Sequence, residues 1–584
     1  MNSDKCTDSD LIGRAADPAF WAEVRINPAF EKHLKVLNTI WRNYCETDSI
    51  PALSYSKFKL FWTTGDRSQY ERDYFARRKA LGACSLLAVI YPEEDKYLIK
   101  LMDVIFAICD EYTWCLPAHQ TDPNVNNNVH LDLFACETGF ALSEIYCLMG
   151  GRLDNVIRDR IRVEIDRRII NPFIDGSPFT KNHRYLWEDV TSNWAAVCAG
   201  STACTFMLMR SELFDTQLEA FELCMRHYLS GFGADGICTE GCAYWNYGFS
   251  FFVVYADMLR RFTKGAFDHF KDPKVRAVAT YMQKVRLSGG TCVSFSDAGQ
   301  KFTYPIGIIH YLKHEYPDEV RVPDPKYAFF DDGCARFCTH LRSYTWLDTG
   351  LMLPDDEPEF SEYYEKDSEI YIRKTPRYGF AAKGGNNSEP HNQNDVGTFI
   401  FAKGGRQLIC DLGAGPYSRQ YFSSQRYTDH IECSALGHNL PTFGGVCERE
   451  GGSMRARDVK YADNVFSMDI AGAFPTEELR SCERRFELTE EGVKIIDRFD
   501  FTGSGPVTER LITQYEPVVD GGCVYIDRDS VDGGCAVRFD GSAVGKVHVE
   551  TAERDGRRIC YIVIFELKPG AKEFIQVIMD RMEV

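Results

Sequence analysis

Along the first 340 residues, apolar side chains recur at intervals of three and four. Leu98, Leu101, Met102 and Ile105 follow an i, i+3, i+4, i+7 order, the spacing of a helix with one face turned to a core. Leu218, Phe221, Met225 and Tyr228 form a second such stripe. The pattern predicts helices near 70–91, 95–114, 131–150, 153–171, 193–209, 214–232, 244–265 and 273–287. Short polar or Gly/Pro links separate them, and short links make consecutive helices antiparallel hairpins. Eight or more such helices suit a curved helical layer or toroid better than one four-helix bundle.

From about residue 365 the period falls to two. The runs 371-YIRKTPRYGFAAKGG-385, 396-VGTFIFAKGGRQLICDLG-413, 484-RRFELTEEGVKIIDRF-499 and 557-RRICYIVIFEL-567 read as strands. Gly404-Gly405 and Glu491-Gly492 read as hairpin turns. This third of the chain is expected to be an antiparallel β-sandwich. Helices first and strands second imply two segregated domains, residues 1–345 and 346–584, with the acidic stretch 353-LPDDEPEFSEYYEKD-367 as the linker.

Composition narrows the options. With 584 residues, 44% apolar and 13% aromatic, the chain can bury more than one core. A net charge of −18 argues against nucleic acid or an anionic membrane as the main partner. It leaves room for an anionic sugar in a locally basic site. No apolar run approaches membrane-spanning length. The start, MNSDKCTDSD, has neither a basic nor an apolar leader region, so a cytoplasmic location is expected. The 22 cysteines form no CxxC pairs and read as reduced and buried.

Three polar clusters carry the candidate chemistry. The first is 182-NHRYLWEDVTSNWAAVCAG-200, in which Asn193 and Trp194 open a helix. The second is 240-EGCAYWNYGFSFF-252, in which Tyr244 and Tyr247 share a helix face. The third is 389-EPHNQNDVGTFIF-401, where His391 to Asp395 are all polar beside an apolar strand, continued by Asp411 and His438. Each has a plain structural reading: core aromatics with satisfied hydroxyls, a helix cap at Asn193, and a histidine in a strand-edge turn.

Together, NW…VC on a helix, EGxxYWxYG, and HNxNDxGxF leading into a strand resemble the heparinase II/III-like polysaccharide lyases. The resemblance spans nearly the whole chain. It implies an N-terminal incomplete (α/α) toroid followed by a C-terminal antiparallel β-sandwich, and cleavage of uronic acid-containing glycans by β-elimination. Such an enzyme needs a donor that neutralises the uronate carboxylate, a base at C5 and an acid at the leaving oxygen. By resemblance Asn193 neutralises the carboxylate, a tyrosine is the acid or carries both proton transfers, and His391 is the second base; Tyr247 is favoured, with Tyr244 the alternative on the same face. A structural divalent metal is implied at Gln393, Asp411 and His438. Gln393 stands where zinc-binding members carry histidine, and an amide oxygen favours manganese or calcium over zinc.

Sugar contacts are expected from His130, His183, Arg184, Trp187, Glu240, Trp245, Asn394 and Arg419, since guanidinium groups suit carboxylates and sulfates. Asn392, Asn394 and Asp395 are expected to hold the turn after His391. The partner is then an anionic oligosaccharide or polysaccharide, glycosaminoglycans first and alginate or another uronan second, with a homodimer as the expected form of any self-association. Two alternatives stand beside this reading. A toroid glycosidase would need two carboxylates about 5–10 Å apart, for which Glu188, Asp189 and Glu240 are available. A glycan-binding protein would keep the fold without turnover.

Overall fold

The computed structural model describes residues 7–47, 49–120, 128–176, 184–330, 332–531 and 533–580. The chain forms two compact units. The first comprises Met1–Phe232, Tyr244–Ala279 and Thr303–Asp355; the second comprises Gly233–Ala243, Thr280–Phe302 and Asp356–Val584. The boundary expected at 345/346 therefore lies ten residues later. Two short segments from inside the helical stretch also belong to the second unit.

The physical reason is local. The helix predicted over 273–287 breaks into Pro273–Ala279 and Tyr281–Lys284. A hairpin-like loop follows, closed by the bridges Arg286↔Cys292 and Thr291↔Lys301. Gly289, at φ +56°, lies so close to the Gly404-Gly405 turn that a Cβ there would stand 2.7 Å from the Gly405 Cα. Only paired glycines permit that approach, and it draws the loop onto the strands.

In the first unit the predicted helices appear as Ser68–Ile90, Asp95–Cys109, Leu133–Met149, Asn155–Ile165, Asn193–Met209 and Ser211–Ser230. The segment predicted over 244–265 is Cys242–Tyr244, a π-helical turn Trp245–Phe249, and the helix Ser250–Phe262. Helices Pro18–Ile26, Glu31–Tyr44 and Tyr55–Thr64 precede these, and Ile306–Glu315 and Phe337–Thr345 follow. Asn193–Met209 is the central element, buried on every side from Ala195 to Leu208. A helix apolar all round belongs inside a core. Its Ala, Gly, Ser and Cys residues let neighbours come close, as where Gly200 meets Met225 and Tyr255. Among the described residues no helix is long and apolar enough to cross a membrane.

The second unit is built from antiparallel sheets. One of five strands runs Ser361–Glu365, Ile370–Lys374, Gly379–Lys383, Phe399–Lys403, Arg406–Ile409. One of eight contains the long hairpin Leu479–Leu488 and Gly492–Phe501, and one of four centres on Arg557–Leu567. Both predicted hairpins form, with Gly404 and Gly405 at φ +57° and +77°, as a two-residue hairpin turn requires. Tyr371, Phe380, Phe399, Phe466, Phe486, Val563 and Phe574 share one apolar core. The described cysteines are all free thiols.

A buried ion cluster ties this core together. Arg484, with no exposed surface, donates two bonds of 2.7 Å to Asp497 and one of 3.2 Å to Glu509. It also donates to the carbonyls of Gly397 and Asn439 at 3.0 and 2.7 Å. Removing the cation would strand two buried carboxylates. Arg484→Ala is therefore expected to cost about 3–5 kcal/mol, read as a lowered urea midpoint of the strand unit's tryptophan-free, tyrosine-reported transition; an unchanged midpoint would contradict it.

Candidate active site

In the helical unit, Asn193 stands at the start of the buried helix with 1% of its surface exposed. Gly248 packs directly on it: a Cβ at Gly248 would lie 2.9 Å from the Asn193 Cβ and 3.0 Å from the Tyr228 hydroxyl. The glycine thus presses the π-helical turn against Asn193. π-turns shift side-chain register within a helix and recur at functional sites. Here the shift separates the two candidate tyrosines. Tyr244 is half-buried, whereas Tyr247 is 7% exposed and points inward.

Tyr247 donates its hydroxyl proton to Glu137. The Arg336 guanidinium lies 3.6 Å from the centre of its ring, and Arg336 Nε stands 3.6 Å from Glu137 Oε2. Burial, reinforced by the Glu137 charge, holds the Tyr247 hydroxyl well above the usual phenol range. Burial also pushes the Glu137 carboxyl up, against the pull of Arg336, to about 7. Tyr247 is a locked proton donor to a buried carboxylate, and the preference for it as the reacting tyrosine is not supported by its surroundings.

A second histidine lies in the same unit. His119 donates from Nδ1 to Asp132 Oδ2 at 2.7 Å, and its ring meets Trp194 edge-on at 4.9 Å. Asp132 also caps the helix Leu133–Met149 by accepting from the Ala135 N–H at 2.7 Å. His119 ends the short 3-10 turn Pro117–His119, too brief to show a period, so no pattern in the sequence marks it.

In the strand unit, His391 is the centre. Its backbone is left-handed, φ +58°, a conformation that costs a non-glycine residue roughly 1–2 kcal/mol. Outliers of this kind persist where the surroundings over-determine them, and here they do. Arg426 donates to the His391 carbonyl at 3.0 Å. The ring donates from Nδ1 to Asp297 Oδ2 at 2.8 Å, because a carboxylate can only accept. In the neutral ring Nε2 is then the lone-pair nitrogen, and it lies 3.7 Å from Glu240 Oε2.

Asp297, absent from the sequence-based set, is the anchor. Its fully buried carboxylate also accepts from Tyr417 at 3.1 Å, Tyr421 at 2.5 Å and Arg426 at 2.7 Å. Burial works against its charge, but the His391 hydrogen bond and the Arg426 cation outweigh it and hold the carboxyl below the ordinary 3.8. Its segment, 293-VSFSDAG-299, alternates like a strand edge and offers only an Asp-Ala-Gly turn as a signal.

The polar run after His391 divides in two. Asn392 donates to Asn394 Oδ1 and to the Tyr427 hydroxyl, and Asn394 donates to the Glu448 carbonyl; both hold the turn, so Asn394 is not a sugar contact. Asp395 does something else. With Asp411 and His438 it forms a fully buried cluster whose ligand atoms lie within 4.8 Å of one another. Asp395 Oδ2 and His438 Nε2 have no hydrogen-bond partner, and His438 Nδ1 stands 3.2 Å from Asp411 Oδ2. Gln393 donates from Nε2 to the Ser296 and Gly413 carbonyls at 2.8 and 3.0 Å, which leaves its buried Oε1 without a donor. Orphaned buried acceptors are costly, and an oxygen- and nitrogen-rich set of this kind fits a hard or borderline divalent cation. Asp395 enlarges the expected set of Gln393, Asp411 and His438.

Several expected sugar contacts are structural. Trp187 is buried, donates to the Leu131 carbonyl at 2.9 Å and stacks on Tyr185. Trp245 is fully buried and donates to the Val278 carbonyl at 2.8 Å. Aromatic residues inside a motif were read as platforms where the helices needed them as core. Arg184 spans Glu188 and Asp189, each at 2.9 Å, so these two carboxylates are tied to one cation rather than poised as a glycosidase pair. His130 is half-buried beside Tyr185, Glu240 faces His391, and Arg419 is exposed on the loop after Asp411. His183 lies outside the described residues.

No protein-family model matches the sequence, and no curated protein matches it either. In fold the chain is similar to solved polysaccharide lyases. A structure of heparinase III aligns at TM-score 0.63 and 12% identity, over 97% of this chain and 94% of that one. Heparan sulfate lyase HepC from Pedobacter heparinus aligns at 0.56 and 12%, over 98% and 92%. A Paenibacillus xanthan lyase aligns at 0.52 and 9%, over 98% and 60%. Helices followed by antiparallel sheets are thus the (α/α) toroid and β-sandwich fold that the motifs implied.

Asp297 supplies a check independent of activity. Because its folded pKa is depressed, its contribution to stability is complete above the unfolded value near 3.8 and is lost as pH falls through the folded value. Asp297→Asn should lower the urea midpoint at neutral pH, by an amount equivalent to about 2–3 kcal/mol. The gap from the parent should narrow below about pH 4; a gap that is constant with pH would show that the carboxylate is not the anchor.

Proposed function

We propose that this chain is a polysaccharide lyase that cleaves uronic acid-containing glycans by β-elimination, with glycosaminoglycan oligosaccharides as the first substrate class and alginate or another uronan as the second. The observation that carries the reading is the His391–Asp297 pair: a ring fixed by its Nδ1–H to a buried carboxylate presents a basic Nε2. The lyase fold supports it.

The reaction removes the C5 proton, breaks the C4–O bond and leaves a C4–C5 double bond. The C5 proton is feebly acidic because the adjacent carboxylate resists further negative charge. Asn193 answers this with an amide donor to that carboxylate. His391 Nε2 takes the proton, and the imidazolium so formed lies between Asp297 and Glu240, two carboxylates that stabilise it. Tyr244 protonates the leaving oxygen. It is the half-exposed tyrosine of the pair, whereas the Tyr247 O–H is engaged in a hydrogen bond to Glu137. Asp395, Asp411 and His438, with Gln393, would hold a manganese or calcium ion that braces the turn bearing His391; no proton passes through it.

A screen of hyaluronan, chondroitin, heparan sulfate and alginate oligosaccharides for the ultraviolet absorbance of an unsaturated uronate tests the chemistry. His391→Ala, Asn193→Ala and Tyr244→Phe are each expected to lower kcat on the order of a hundredfold or more, and Tyr247→Phe less than about tenfold. New reducing ends without absorbance would establish hydrolysis instead. Loss of turnover in Tyr247→Phe but not Tyr244→Phe would exchange their roles.

Metal content is a separate measurement. Purified chain is expected to carry about one divalent ion, and chelation should lower its melting temperature. Asp411→Ala should lose both the ion and the response to chelator. A metal-free parent whose melting is indifferent to added manganese and calcium would rule the site out.

A further inference from the structure

The loop after Asp411 contains a feature that the elimination chemistry does not use. Phe422 exposes half of its surface to solvent, 50%. A single exposed aromatic is ordinary, but this one is the outer member of an edge-to-face cluster of three rings. Its ring meets Tyr417 at 4.8 Å and 71° and Tyr421 at 5.4 Å and 70°. Tyr417 and Tyr421 meet each other at 4.9 Å. Both of their hydroxyls end on Asp297, the carboxylate that orients His391. The Arg426 guanidinium closes the far side, 4.4 Å from the centre of the Tyr421 ring. The exposed ring is therefore held rigidly through a chain of contacts that ends at the proposed base.

A rigid aromatic face exposed to water suits the apolar C–H face of a pyranose, because its ordering cost is already met in the free protein. We propose that Phe422, backed by Tyr417 and Tyr421, is a stacking subsite for one sugar ring of an anionic glycan, with Arg419 on the same loop serving that sugar's carboxylate or sulfate. Arg419 is exposed three residues before Phe422, and a guanidinium fork matches either oxyanion. Phe422 fixes a sugar beyond the bond being broken, so it sets affinity and register and leaves proton transfer alone. This inference rests on the reading of the chain as a lyase of anionic glycans.

The test uses the full chain with hyaluronan and heparan sulfate hexasaccharides, one without sulfate and one with it. Binding is measured by calorimetry in the His391→Ala background, and KM and kcat by absorbance in the active chain. Phe422→Ala should weaken binding and raise KM about tenfold with kcat within about twofold. Phe422→Trp should retain both and confirm that a flat ring is what matters. Phe422→Leu, apolar but not flat, should behave like the alanine variant. A loss in Arg419→Gln confined to heparan sulfate assigns the oxyanion as sulfate; an equal loss with hyaluronan assigns it as carboxylate. Unchanged Kd and KM in Phe422→Ala, with an active parent, overturn the subsite and leave the lyase reading standing. A parent that neither binds nor cleaves these or any other uronan overturns both.

Discussion

A carboxylate removed from water must find donors or lose its charge, and Asp297 finds them in five side chains from three separate stretches of sequence, Gln393 joining His391 from the same turn at 3.4 Å. His391 comes from the turn after the five-stranded sheet's third strand, Tyr417 and Tyr421 from the loop after Asp411, and Arg426 from a short helix beyond it. Each donor is itself constrained by the bond. The left-handed backbone of His391, the orientation of the two tyrosines and the position of the loop all serve to satisfy one anion. Glycines make the anchoring point accessible. Gly413, at φ +68°, passes so close to the Ala298 carbonyl that a Cβ there would stand 1.9 Å away, and Gly241 packs on the Ala298 side chain. The tight packing around residue 298 is what keeps Asp297 from water.

The helical unit solves related problems by the same means. Glu137 is buried beneath Arg336 and kept company by the Tyr247 hydroxyl, and Asp132 is satisfied by two backbone N–H groups and by His119. In each case one carboxylate organises aromatic and cationic neighbours. The consequence for chemistry differs with the donor. A histidine that donates from Nδ1 keeps a second ring nitrogen for chemistry, whereas a tyrosine has a single O–H, and once that is engaged only the oxygen's acceptor lone pairs remain. That contrast separates His391 from Tyr247, though both looked equally reactive as letters in a motif.

What could be read from the sequence follows the same division. Period 3.6 and period 2 reflect burial of a face, a property of every few residues, so the helix-then-strand order and both glycine hairpins were legible, and Asn193–Met209 matched its predicted bounds. The units' exchange of 233–243 and 280–302 was not, because a loop's allegiance is decided by a close approach such as Gly289 on Gly405 rather than by its own pattern. His391 was legible because five polar residues beside an apolar strand are anomalous. Asp297 was not, since one aspartate in a Ser-Asp-Ala-Gly turn is what any turn contains. Trp187 and Trp245 were misread for the converse reason: large rings near a motif carry no mark that tells a sugar platform from core packing.

The fold aligns with heparinase III at 12% identity, and the two kinds of position explain how so little sequence can carry so much structure. Apolar core sites tolerate substitution while volume and patterning are kept. The burial of Ala195–Leu208 asks for small residues where neighbours come close, as at Gly200, and for apolar volume elsewhere. Buried polar sites are different, because removing one partner leaves the other unsatisfied at a cost of about 1–3 kcal/mol. Arg484 with Asp497 and Glu509, and His391 with Asp297, can only be lost as sets. Core positions are thus interchangeable within volume and pattern while members of a polar cluster constrain one another, and those clusters, rather than overall likeness, are where the chemistry has to be sought.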